Sequence, residues 1–180
     1  MLFELECQQR VSMGDIYLLK DSIKNTRVSI ETKPCFNHLK EFLFEDADTY
    51  IQEQIASVYG LYIDNEVRWY MSLSVAVCKV EDFYWQGQVW DPESPKFPGL
   101  LIGKLLIDDR LQWQWYGKKF ISLSVSLGNE LSKLVGIRCI IVDANLEAIG
   151  FYEKMGFIEI AWTKNKETTK MILDLKGLYS

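Results

Sequence analysis

The sequence predicts an α+β fold, a mixed and mostly antiparallel central sheet flanked by helices. Three observations carry that expectation. Ile55 to Ile63 and Val67 to Val80 are rich in Val, Tyr, Trp and Ser and are joined by Asp64-Asn65-Glu66, the composition of a β-hairpin. Leu100 to Phe157 reads as strand, loop, long helix, strand, short helix and glycine stop. Ile158 to Trp162 and Lys170 to Leu175 then supply two more strands across the polar turn Thr163 to Thr169. A hairpin followed by β-α-β-α-β-β builds one mixed sheet.

Along the chain, Met1 to Lys33 is mixed in character, with a strand expected over Asp15 to Leu19 and weak alternation from Thr26 to Glu31. Phe36, Leu39, Phe42, Leu43 and Ala47 recur at helical spacing just after Pro34, and a second short helix is expected through Asp48 to Gln54. Glu81 to Pro98 holds Pro92, Pro95 and Pro98 with Phe83, Tyr84, Trp85 and Trp90. Such a polar-aromatic loop is either a surface loop pinned by its aromatics or a lid over a substrate. Leu100 to Ile107 is an apolar run of strand length, broken by Gly103 and Lys104. Asp108 to Trp115 reads as a loop. From Gly117, the residues Phe120, Leu123, Leu127, Leu131 and Leu134 mark one face of a helix that ends at Val135-Gly136. Cys139 to Val142 suits a buried strand. Asn145 is a natural N-cap for the next helix, and Gly156 stands where a left-handed residue would stop it.

The 180 residues are expected to form a single domain, residues 1–180, large enough for a substantial core. A net charge of −5 and a pI near 5.0 do not suggest a general nucleic-acid binder, though a local basic patch stays open. The four cysteines, Cys7, Cys35, Cys78 and Cys139, form no C-x-x-C pair and read as reduced, mostly buried thiols. No leader pattern opens the chain, and no apolar run approaches the ~20 residues that span a bilayer. A cytoplasmic protein without membrane contact is the expectation.

Asn145-Leu-Glu-Ala148-Ile-Gly-Phe151-Tyr152-Glu-Lys-Met-Gly156-Phe157 resembles the N-x-x-A-x-x-F-Y-x-x-x-G-F segment of the GNAT superfamily of acyl-CoA-dependent N-acyltransferases. Gln112-Trp113-Gln114-Trp115-Tyr116-Gly117 is similar to that family's Q/R-x-x-G-x-G/A loop, with Trp115 standing where the first loop glycine is usual. The resemblance covers roughly residues 36 to 175. The spacing from Cys35 to Leu43 is also similar to the first helix of a GNAT subgroup that includes bacterial toxins acetylating aminoacyl-tRNA.

The resemblance implies a GNAT-like sheet, acetyl-CoA as co-substrate, a primary amine on a small molecule or macromolecule as acceptor, and, by analogy, a homodimer. It implies that backbone groups of Leu105, Leu106 and Ile107 pair with the pantetheine arm and polarise the thioester carbonyl. The amides of Gln112, Trp113, Gln114, Trp115, Tyr116 and Gly117 would hold the pyrophosphate, with Lys118 and Lys119 beside it. Asn145 would bond the pantetheine arm as well as cap its helix. Tyr152 would be the general acid for the departing thiolate, since a phenol of pKa about 10 stays protonated at neutral pH and can still donate.

Read from the residues alone, a loop opening a helix beside two strand ends is an anion site. Glu41, Glu66, Glu81 and Asp82 are all possible bases, with nothing to choose between them. His38, the only histidine, reads as an ordinary helix residue, and no metal site is expected. Two other functions stay open. Trp115 favours a degenerate domain acting as a binding or regulatory module, because tryptophan does not readily take the backbone conformations that glycine allows. The pattern from Cys35 to Leu43 favours a toxin-like acetyltransferase of aminoacyl-tRNA, against which the acidic pI counts.

Overall fold

In the computed structural model, which describes residues 16–19, 26–79, 96–111, 116–160, 164 and 167–176, the hairpin turn is the tightest feature. Asp64 and Asn65 adopt φ of 52° and 61°, the two successive left-handed residues of a type I′ link. Asp and Asn tolerate that region better than other residues with a Cβ. The turn joins β2 (Ser57–Ile63) to β3 (Glu66–Lys79), with Ile63 opposite Glu66. β1 (Ile16–Leu18) pairs with β2, and β4 (Lys96–Ile107) lies antiparallel to β3. β5 (Cys139–Asn145) then runs parallel to β4. β6 (Ile158–Glu159) and β7 (Thr168–Asp174) complete a seven-stranded sheet of order β1-β2-β3-β4-β5-β7-β6.

Alternation along β3 sorts the helices onto two faces. Trp69, Met71 and Leu73 are buried with Phe120, Ile121 and Leu123 of α3 (Tyr116–Val135) and with Tyr152 of α4 (Ile149–Lys154). Tyr70, on the other face, is buried with Phe42 and Leu43 of α1 (Asn37–Glu45) and Ala47 of α2 (Ala47–Gln52). The Tyr70 hydroxyl donates to the Leu39 carbonyl, pinning α1 to the sheet. Among the described residues, no helix is long and apolar enough to cross a membrane.

Several sequence expectations shift. β4 begins at Lys96, so Pro98 lies in a strand opposite Val77 and not in a loop. Its carbonyl accepts from Arg138, on the β5 side. N–H and C=O of one strand residue point the same way, so its missing N–H costs no bond to β3. Ile55 is exposed and β2 starts at Ser57. Thr26 to Glu31 forms only one isolated bridge, Val28 to Val67. The buried stripe of α3 fades at its end: Leu134 is 81% exposed, while Ser124 and Gly128 are buried against the sheet side. Residues 80–95, 161–163 and 165–166 lie outside the described residues, and with them most of the aromatic loop and Trp162.

Cys78 and Cys139 meet on the α1 face with their sulfurs 2.9 Å apart, both fully buried. Gly99 lies between them on β4, and a Cβ there would sit 3.0 Å from the Cys139 sulfur. The hydrogen bond with Cys78 and burial both push the Cys139 thiol upward, so Cys139 stays a protonated thiol at neutral pH. Cys35, by contrast, is exposed, and Cys7 lies outside the described residues.

Candidate active site

The parallel pairing of β4 and β5 is short. It begins at Gly99–Cys139 and ends at Ile102–Val142. At that point β4 carries an extra residue: Leu73 faces Ile102 and Ser72 faces Lys104, leaving Gly103 unopposed in a β-bulge. β5 continues along β7 as far as Asn145–Thr168, while β4 continues along β3 as far as Ile107–Trp69. The two strands therefore part, and the facing edges of 103–107 and 143–145 have no ladder between them. A Cβ on Gly103 would meet, among the described residues, only the Ser72 Oγ at 3.2 Å. An open gap edged by backbone amides and carbonyls is what an extended, amide-bearing ligand can fill. Leu105 and Ile107 pack toward α3 and Leu106 toward α1, so their side chains anchor the edge whose backbone borders the gap.

α3 starts beside this gap, and the first turn is closely packed. A Cβ on Gly117 would lie 2.9 Å from the Phe151 ring of α4 and 3.3 Å from Ile107 at the end of β4. The glycine thus lets three site elements touch. Gly117→Val is expected to destabilise by about 1–3 kcal/mol through overpacking, lowering Tm by roughly 5 °C in a thermal melt. An unchanged Tm would mean that Phe151 swings aside freely. Tyr116 packs edge-on to Trp69 at 4.8 Å, and Trp69 stacks on Phe120 at 5.5 Å. Among the described residues the buried Trp69 indole N–H has no hydrogen-bond partner. Lys118 and Lys119 are exposed in the same first turn, with Lys119 Nζ 5.1 Å above the Tyr116 ring. Gln112, Trp113, Gln114 and Trp115 lie outside the described residues.

On the β5 side, the Asn145 Oδ1 accepts from the Glu147 N–H at 3.0 Å and caps a 3-10 turn, Leu146–Ala148, that leads into α4. Its side-chain NH2 is not used in that bond. Tyr152 follows on α4, only 5% exposed, with its ring 5.0 Å from Phe151 and 5.3 Å from Phe157. Burial raises the phenol above its ordinary pKa. Gly156, at φ 88°, ends the helix in the left-handed conformation its position suggested. Lys33, ahead of α1, reaches across to Glu147 at 3.1 Å.

One residue next to the site is not evident from the sequence. Asp108 directly follows β4, with its side chain fully buried. Its carboxylate accepts from Arg68 Nε at 2.7 Å, from Arg110 Nη2 at 2.7 Å and from the Arg110 backbone N–H at 3.0 Å. Arg110 also pairs with Glu31 at 2.8 Å. Burial alone would raise the Asp108 pKa, but the Arg110 hydrogen bonds and both guanidinium charges outweigh it and hold the carboxyl below its ordinary 3.8. The cluster fixes the 3-10 turn Asp109–Leu111, the last described residues before position 112.

Of the sequence's candidate bases, Glu41 is exposed on α1 and Glu66 lies 3.8 Å from Arg68, while Glu81 and Asp82 lie outside the described residues. His38 is exposed on α1, and among the described residues no group of His, Cys, Asp and Glu could hold a metal.

No protein-family model and no curated protein matches the sequence. Solved structures do. A bacterial toxin superposes with a TM-score of 0.74 at 14% identity, over 89% of this chain and 91% of that one. The toxin AtaT in complex with acetyl-methionyl-tRNAfMet gives 0.70 at 20% identity, over 91% and 95%. A tyrosine-to-phenylalanine mutant of KacT gives 0.69 at 20% identity, over 91% and 97%. At such identities the likeness is one of fold. The chain shares the fold of these proteins, a mixed and mostly antiparallel sheet flanked by helices, as its sequence led us to expect.

Proposed function

We propose that this chain is an N-acetyltransferase that moves an acetyl group from acetyl-CoA to the α-amine of an aminoacyl-tRNA. The observation that carries the acetyl-transfer reading is the gap opening at Gly103, flanked by the first turn of α3 and by Tyr152. The pantetheine arm lies in the gap along the backbone of Leu105, Leu106 and Ile107, and the pyrophosphate lies at residues 112–117 with Lys118 and Lys119 beside it. The neutral amine attacks the thioester carbonyl, polarised by a backbone N–H of β4. The C–N bond forms, the C–S bond breaks, and the thiolate takes a proton from Tyr152. Tyr152 recovers a proton from solvent, and the amine nitrogen releases one.

The tRNA acceptor rests on the likeness to AtaT, whose structure holds acetyl-methionyl-tRNAfMet, and on the pattern from Cys35 to Leu43. AtaT also binds the C-terminus of the antitoxin AtaR, which makes an antitoxin peptide the expected protein partner here. The test is to incubate the protein with acetyl-CoA and methionyl-tRNA and to weigh the released amino acid. N-acetylmethionine supports the reading, and transfer only to small free amines removes the tRNA. Trp115 keeps the binding-module reading alive, and a calorimetric titration with acetyl-CoA tests it. Binding by the native chain would mean that Trp115 is accommodated, and acetyl transfer lost in Tyr152→Phe would then sink the alternative. Binding only after Trp115→Gly would sink the enzyme.

A further inference from the structure

We infer that Lys104 is the acceptor-side phosphate contact, engaging a phosphodiester oxygen of the 3′-terminal nucleotide of the aminoacylated RNA. The inference rests on the acceptor proposed above and assigns it a residue. Lys104 follows the Gly103 bulge directly and stands opposite Ser72, two residues past the last rung between β4 and β5. It shares the α1 face with Leu106 and Tyr70, whereas α3 covers the opposite face. An acceptor entering the gap from the side away from the α3 N-terminus therefore passes Lys104.

Its surroundings make the charge available. Lys104 is half-buried, its Nζ 5.8 Å over the ring of buried Phe42, and among the described residues no carboxylate pairs with it. The cation–π contact holds the side chain over Phe42, and among the described residues no anion takes up the three ammonium donors. A compact, half-buried ammonium suits a phosphate as a point charge.

The experiment compares native protein, Lys104→Met and Lys104→Arg with two acceptors, methionyl-tRNA and methionine methyl ester, which has no phosphate. Methionine keeps an apolar stem against Phe42, so the fold is expected to persist, as a thermal melt will check. The expected result is that Lys104→Met raises the KM for methionyl-tRNA roughly tenfold with kcat within about twofold. The slope of log(kcat/KM) against log[salt] falls by about 1, the signature of one lost phosphate contact. Arginine restores most of the loss, and the methyl ester reports no change. Equal KM and slope for methionyl-tRNA in the native and methionine proteins would overturn the inference and leave the tRNA acceptor standing. An equal penalty on both acceptors would overturn it too, because the role would then be structural. Native protein inactive on methionyl-tRNA would remove both the acceptor and the contact.

Discussion

Tyr152→Phe is expected to lower kcat by about 10²-fold or more, with the KM for acetyl-CoA nearly unchanged. The hydroxyl is the only atom removed, and the ring keeps its places against Phe151 and Phe157. Stability should therefore change little while proton delivery to the thiolate is lost. The pH dependence follows from the direction of the shift. Burial raises the phenol above its ordinary 10.0, so it remains protonated throughout the neutral and mildly alkaline range. Its contribution to stability is full below the unfolded value and is lost only as pH rises toward the higher folded one. Steady-state rates from pH 6 to 9.5 should show no alkaline fall caused by this group. Full activity of the phenylalanine variant would remove Tyr152 from the mechanism.

The largest stability effect is expected at Asp108. Asp108→Asn leaves the space filled but removes the charge facing Arg68 and Arg110, and breaking a buried ion pair costs about 3–5 kcal/mol. For a chain of this size that is a Tm loss of roughly 10 °C in a calorimetric scan. The sign with pH is opposite to that of Tyr152. A carboxyl held below 3.8 stabilises the fold above that value, and the contribution is lost as pH falls through the depressed one. Native protein should lose stability on acidification below pH 3.8 more steeply than the asparagine variant. Parallel acid curves would mean that the cluster contributes no net ionic stabilisation.

How legible the molecule was in its sequence depended on how far apart the interacting residues lie. Asp64-Asn65, the α3 stripe from Phe120 to Leu131, and the run from Asn145 to Gly156 are set by neighbours within a few residues, and all three were readable. The parting of β4 and β5 was not. Gly103 and Lys104 were visible as a break in an apolar run, but whether a break is a bulge depends on the register against Ser72 and Leu73, thirty residues away. Asp108 was read as loop for the same reason, since its partner Arg68 lies 40 residues distant. The available signal was an acidic residue directly after an apolar strand with Arg110 two places on, which is suggestive only once Arg68 is known to face it. Pro98 was misread because proline usually ends a strand, and only the side on which Arg138 bonds explains its presence. Gly117 was read only as part of a phosphate loop, and its close approach to the Phe151 ring, 34 residues on, was not readable.

The outer strands of the sheet are its shortest, with three residues in β1 and two in β6. An unpaired strand edge is a template on which another chain can add, and its hazard grows with its length and flatness. The long strands, β3 and β4, lie in the interior, but β3 pairs with β2 only as far as Leu73 and β4 with β5 only as far as Ile102. Exposed Val75 and Val77 sit on one of those interior strands. They lie beyond the last rung between β2 and β3, so among the described residues this stretch sets an apolar surface beside a backbone edge without a ladder, the place where a further strand could add.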